Sequence, residues 1–224
     1  MRHALLTGTS SGIGKAIAQR LLDDGWRVTG FDRDPAALAG SRFTAVPVDL
    51  TDAAARARAL DSVDDVTALV HAAGVMRGGK LGHLDLAAGE LLWRLHVEAA
   101  IALADRIAPK LPAGGRIVLI GSRAARGVVA KSQYGAAKAA LVGLARAWAK
   151  ELAPLGVTVN VVAPAATDTA MLADQARAVL PPEVPPMGRL IRPQEVAALV
   201  AFLLSTDAAA ITGQEIAICG GASL

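Results

Sequence analysis

The stretch Ala4-Leu5-Leu6-Thr7-Gly8-Thr9-Ser10-Ser11-Gly12-Ile13-Gly14 sets a short apolar run against a turn holding three glycines, and an alanine- and leucine-rich segment follows. The pattern predicts a strand, a glycine turn and a helix. Glycine accepts backbone angles closed to other residues and lets a ligand approach the main chain. A helix start adds unpaired N–H groups and a positive dipole end, which suit a phosphate. The turn is therefore a candidate dinucleotide cradle, with Gly8, Ser10, Ser11, Gly12, Ile13 and Gly14 as its contacts. Glycine clusters also arise for steric reasons alone, so the rest of the chain decides.

Working outward, apolar runs recur at Ala4–Leu6, Arg27–Phe31, Phe43–Val48, Val66–Val70, Arg116–Ile120, Val157–Val162 and Glu215–Ile218. Helical patterns at about 12–24, 52–60, 85–110, 132–153 and 193–205 lie between them. Continuous rather than alternating Val, Ile and Leu predict strands buried on both faces, as in a parallel sheet with right-handed helical crossovers. The expected fold is α/β: a doubly wound, Rossmann-type three-layer sandwich with a seven-stranded parallel sheet, in one domain over 1–224. The segment at about 167–192 breaks the rhythm with Pro181-Pro182-Glu183-Val184-Pro185-Pro186 and reads as a lid insertion leaving a strand end.

Composition narrows the function. The chain has 224 residues, 53% of them hydrophobic, with a formal charge of +3 and one cysteine, Cys219, so an internal disulfide is excluded. No apolar run approaches the ~20 residues needed to cross a bilayer, and the basic residues are scattered without interleaved aromatics. The expectation is a cytoplasmic protein that binds neither membrane nor nucleic acid, and no metal is assigned to its site.

Asp32 ends the second strand, 18 residues after Gly14, near the ~20 expected of a carboxylate that accepts both adenosine ribose hydroxyls and repels a 2′-phosphate. NAD is thus expected over NADP, although Arg33 beside it is able to reach a 2′-phosphate. Asp49 and Leu50 end the third strand, where a carboxylate meets adenine or caps the following helix. Ala72, Ala73 and Gly74 end the fourth with little bulk beside the adenosine.

Tyr134 and Lys138 stand four residues apart on one predicted helix face, and Ser122 ends the strand before them. A phenol titrates near 10, so it becomes a base at neutral pH only beside a cation such as Lys138. Tyr134 is then the acid/base and Ser122 holds the substrate oxygen during hydride transfer.

These residues, with Asn160, Pro164, Thr169, Arg192-Pro193, Thr212-Gly213-Gln214 and Gly220-Gly221, resemble the single-domain short-chain dehydrogenases/reductases along nearly the whole chain. The resemblance implies that Lys138 also bonds the nicotinamide ribose and that Thr167 and Thr169, after Pro164, hold the carboxamide. It implies a homotetramer, or a dimer. His96 stands where the family has a catalytic asparagine supporting a water in the proton relay; an imidazole can donate and accept, and is a candidate substitute. His71, Ala165 and Cys219 are further departures. Several stretches are more similar to 2,3-dihydro-2,3-dihydroxybenzoate dehydrogenase and related cyclic-alcohol dehydrogenases. The expected substrate is accordingly a cyclic or aryl secondary alcohol or its ketone. Arg77 and Arg123 are candidates for a substrate carboxylate, and Met171, Leu172 and Met187 for an apolar wall. A non-catalytic dinucleotide-binding regulator or scaffold, motivated by His96, stays open as the alternative.

Overall fold

A computed structural model describes residues 2–174 and 181–224, together with everything stated below. Seven strands, β1 (His3–Thr7), β2 (Arg27–Asp32), β3 (Phe43–Pro47), β4 (Ala68–His71), β5 (Arg116–Ile120), β6 (Thr158–Pro164) and β7 (Glu215–Ile218), form one sheet. Its order is β3-β2-β1-β4-β5-β6-β7 and every pairing is parallel. The chain returns to the middle between β3 and β4, so the carboxyl ends of β1 and β4 flank a crevice where such sheets bind ligands.

Side chains alternate across the pleat and build two cores. Leu5, Phe31, Leu69, Ile117, Leu119 and Val161 face α2 (Ala53–Asp61), α4 (Ala99–Ile107) and α5 (Ser132–Leu152). Leu6, Val28, Val70, Val118 and Val162 face α1 (Gly12–Asp23) and α7 (Pro193–Leu203). Leu5, Leu6 and Leu69 are wholly buried, each worth about 1.5–3 kcal/mol relative to exposure. A Leu69→Ala change would cost about 2–5 kcal/mol once its cavity is counted.

Two features depart from the sequence reading. The predicted helix over 85–110 is α3 (Leu86–Trp93), then a π turn (Arg94–Glu98), then α4 and a 3₁₀ turn (Ala108–Lys110). β3 is an edge strand and half exposed, because no described strand pairs with its outer side. The expected lid is irregular apart from α6 (Ala170–Ala173) and a bridge from Thr167 to Ile191, and its residues 175–180 lie outside the described ones. No helix among the described residues is long and apolar enough to cross a membrane.

Candidate active site

The glycine turn is built by close approach. Gly8 and Gly12 take φ of +77° and +52°, the left-handed region that L side chains rarely enter. A side chain at Gly14 would collide with the carbonyl of Gly8, so α1 starts directly on the turn. A Cβ at Gly12 would come within 3.2 Å of the Thr169 methyl, which brings the segment after β6 down onto the cradle.

A cavity of about 1090 Å³ runs over this turn. Gly8, Ser11, Gly12, Ile13 and Gly14 line it together with Asp32, Arg33, Asp49, Leu50, Ala72, Ala73 and Gly74. At the far end stand Ser122, Tyr134, Lys138 and His96, with Pro164, Thr167 and Thr169 between. Arg77, Arg123, Met171 and Leu172 also line it. Two predicted residues do not. Ser10 instead donates its N–H to Asp32 at 2.8 Å and its hydroxyl to the Asp34 carbonyl at 3.1 Å. Met187 is 69% exposed and packs by Gly220. The wall also contains Met76, Leu91, Leu95, Val128 and Val129, which the sequence reading missed. The spacing of Leu91 and Leu95, one helical turn apart, was the available signal.

The carboxylates at the adenosine end are engaged. Asp32 accepts the N–H of Ser10 at 2.8 Å through one oxygen and that of Asp34 at 3.0 Å through the other. Asp49 accepts both the N–H (2.8 Å) and the hydroxyl (2.7 Å) of Thr51, which holds its carboxyl below the usual range. The next helix is capped by Asp52, not by Asp49. Arg33 remains largely exposed on the rim, 3.7 Å from the Asp34 carboxylate.

At the other end, Ser122 follows β5 and caps a short 3₁₀ turn, Arg123–Arg126, by accepting the Ala124 N–H at 3.1 Å. An accepting hydroxyl keeps its proton for a substrate oxygen. A Cβ at Gly135 would come within 2.7 Å of the Ala124 carbonyl. This tight fit seats α5 on the turn, bringing Tyr134 to the same end of the cavity as Ser122. Lys138 is buried, donates to the Ile120 carbonyl at 2.8 Å, and lies 5.9 Å from the centre of the Tyr134 ring. Burial lowers its pKa to about 7. His96, in the π turn, stands edge-on to Tyr134 with ring centres 5.6 Å apart and planes at 89°.

The predicted arginine subsite is otherwise occupied. Arg77 pairs with Asp174 at 3.0 Å and also donates to the Met76 carbonyl at 2.9 Å. Arg123 reaches Glu183 at 3.6 Å. Both acids belong to the segment expected to cover the site.

The profile described as enoyl-(acyl carrier protein) reductase matches residues 8–223. The 3-oxoacyl-(acyl-carrier-protein) reductase FabG of Salmonella typhimurium is 34% identical over 97% of this chain and 96% of its own. The reductase MabA of Mycobacterium bovis is 35% identical over 98% and 92%. A Burkholderia cenocepacia short-chain dehydrogenase, solved in complex with NADP, superposes with a TM-score of 0.89 at 33% identity, covering 100% of this chain and 98% of its own. The chain belongs to the short-chain dehydrogenase/reductase family.

Membership carries oxidoreductase activity on a small molecule, and it corrects one expectation. NAD was expected from Asp32, but this relative of nearly full coverage binds NADP. The physical reason is local. Each oxygen of Asp32 already accepts one backbone N–H, while the guanidinium of Arg33 stands exposed on the cavity rim, where it is suited to a 2′-phosphate. The cradle fits a dinucleotide in other respects, with Gly12 and Ile13 partly exposed at the N-terminus of a 12-residue helix.

Proposed function

We propose that this chain transfers hydride between NADP(H) and a ketone or secondary alcohol, with Tyr134 as acid/base, Ser122 as hydrogen-bond donor to the reacting oxygen, and Lys138 as the cation that favours the phenolate. The single observation that carries the reading is the convergence of these three residues on one end of a cavity whose floor is the glycine turn. The nicotinamide, when bound, supplies or receives the hydride. In the reducing direction Tyr134 gives its proton to the developing alkoxide, which Ser122 also binds. In oxidation the same phenol takes the proton back. Thr167, Thr169 and Pro164 hold the nicotinamide end, and the described residues 167–174 and 181–192 cover it, tied to the body by Arg77–Asp174 and Arg123–Glu183.

The substrate is an uncharged ketone. Met76, Leu91, Leu95, Val128, Val129 and Leu172 offer an apolar wall that suits a cyclic or aryl group, and the wall's two arginines already carry carboxylates. A 3-oxoacyl thioester is the second reading, favoured by the reductases at 34% and 35% identity. Domain 1–224 is proposed to assemble as a homotetramer, to which the exposed Trp93 and Ile101 on neighbouring helices contribute apolar surface.

NADPH oxidation followed by absorbance against cyclic ketones, aryl ketones and a 3-oxoacyl thioester separates the substrates. Tyr134→Phe should lose at least about 10²-fold in kcat while still binding NADPH by fluorescence titration. Turnover by Tyr134→Phe equal to the parent would refute the mechanism. NADPH binding without turnover of any substrate would favour a scaffold. Light scattering at two concentrations tests the tetramer.

A further inference from the structure

The amino edge of the sheet, at the other end of the strands from the cavity, holds another buried cation. Arg116 opens β5 and Thr158 opens β6, and the two are register partners in the parallel ladder. Side chains alternate along a strand, so Arg116 shares a face with Val118, and Thr158 with Val162, both turned toward α7. The two side chains are therefore neighbours across about 4.8 Å of sheet. A shared acceptor draws them closer still. The Gly115 carbonyl takes the Thr158 N–H and a guanidinium N–H of Arg116, at 3.1 Å each.

Arg116 is 5% exposed and Thr158 4%. An arginine is almost never buried so fully without a partner of opposite charge. Here its terminal nitrogens donate to the carbonyls of Gly114 at 2.7 Å, Gly115 at 3.1 Å and Ser205, just past α7, at 3.3 Å. No carboxylate among the described residues pairs with it. Burial lowers its pKa, and no opposite charge pulls it back. The Arg116 Nε and the Thr158 Oγ1 are both buried with no hydrogen-bond partner among the described residues. Folded proteins keep few such atoms, because each has given up water and gained no bond in return. Nε–H donates and a hydroxyl is able to donate, so one acceptor between them satisfies both. A water would meet the hydrogen bonds and leave the charge unbalanced, whereas an anion meets both needs. Neighbouring side chains on adjacent strands bracket a single atom more readily than a polyatomic oxyanion.

We infer that Arg116 and Thr158 form a structural site for a monatomic anion such as chloride, held between the Nε–H and the Thr158 hydroxyl. The guanidinium fork already joins the turn before β5 to the end of α7, and the anion completes that joint by adding β6 through Thr158. No covalent bond is made or broken, and no step of the hydride chemistry passes through the site. Because it lies at the opposite edge of the sheet from Tyr134, it stands whether or not Tyr134 is the acid/base.

The test compares thermal unfolding of the parent, Thr158→Val and Arg116→Met in sodium chloride and in sodium gluconate, whose anion is too bulky for the site, at equal ionic strength. A ligand that binds only the folded state raises Tm in a saturable way. The parent should melt about 2–4 °C higher in roughly 0.15 M chloride than in gluconate, and the gain should level off as chloride rises further. Thr158→Val keeps the shape and strand preference of the side chain but removes the hydroxyl, and should lose most of that difference. Arg116→Met should lose all of it; if that variant does not fold, Thr158→Val carries the comparison. In crystals grown with bromide, an anomalous peak should stand between Arg116 Nε and Thr158 Oγ1. A chloride gain as large in Thr158→Val as in the parent is a general salt effect and overturns the inference. Density at the site with no anomalous signal in bromide is water, and overturns it too. A bromide peak without a saturable gain in Tm marks an adventitious ion only, and removes the structural role.

Discussion

The cavity has two walls of opposite character. One is formed by the end of β4, the π turn and α5, where His71, His96 and Lys138 are buried and each donates a hydrogen bond to a backbone carbonyl. The other comes from the segment after β6, and reaches the body through Arg77–Asp174 and Arg123–Glu183, pairs that stay partly exposed. Buried polar networks are costly to disturb, whereas exposed ion pairs contribute little. The first wall is therefore built for fixed chemistry, and the second for tolerance of change. Under the proposed function, the acid/base residues sit on the rigid side and substrate selection falls to the adaptable one.

The largest test of this contrast is Lys138→Met. Its kcat should fall by about 10³-fold, since the phenol loses its cation, yet the folded protein should become more stable at neutral pH. Lys138 titrates near 7 when folded, against about 10.5 when unfolded. Below pH 7 both states bind the proton, and the full cost of the buried ammonium is borne. As pH rises from 7 to 10.5 the unfolded state holds more protons, so this contribution to stability rises with pH. Calorimetry at pH 7 should show a higher Tm for the variant, with its advantage shrinking toward pH 10. A lower Tm at pH 7 would mean that Lys138 is needed for the fold itself.

The buried histidines give the next effect. Burial, with the Lys138 charge adding to it, lowers His71 to about 3, and burial likewise depresses His3 and His96. The unfolded chain takes up protons below pH 6.5 that the folded chain refuses, so stability is lost as pH falls from about 6.5 toward 3. His71 alone should account for on the order of 2–4 kcal/mol. In urea unfolding at pH 7, 5.5 and 4.5, His71→Asn should decline less steeply than the parent, and equal slopes would contradict this.

These two walls were unequally legible. Strands buried on both faces announce themselves as runs of Val, Ile and Leu, and the Tyr134–Lys138 spacing fixes a shared helix face whatever surrounds it. The π turn was hidden, because Leu91, Leu92 and Leu95 continue a helical pattern through 94–98 and an inserted residue leaves no compositional mark. Asp32 stands in the cavity as read, but the NAD preference drawn from it was overturned by the NADP-bound relative. Whether a carboxylate serves a ribose or the N–H groups of Ser10 and Asp34 depends on local turn geometry, not on residue type. Arg77 and Arg123 were visible at strand ends, but Asp174, 97 residues from Arg77, became a partner only through the fold.

A smaller effect concerns the rim. If Arg33 meets a 2′-phosphate, Arg33→Ala should weaken NADPH binding about tenfold, roughly 1.4 kcal/mol, and change NADH binding little. Because the side chain is solvent-exposed, the loss should shrink with added salt. An equal loss for both coenzymes would place Arg33 at the shared pyrophosphate or outside the site.

The smallest change tests the adaptable wall. Asp174→Asn removes the charge opposing Arg77 but keeps the shape of the contact. Both partners are partly exposed, with side chains 29% and 39% accessible, so the pair is worth no more than about 1 kcal/mol and Tm should move by only a few degrees. Selectivity should move more. With Asp174 neutral, Arg77 presents an unbalanced charge to the cavity, and a ketone bearing a carboxylate should gain several-fold in kcat/KM over its uncharged analogue. The gain should appear in KM rather than kcat, because Arg77 is not among the groups that act on the reacting oxygen. If Asp174→Asn instead lowers kcat for both ketones equally and leaves their ratio unchanged, the pair positions the catalytic wall as well, and the separation between rigid chemistry and adaptable selection fails.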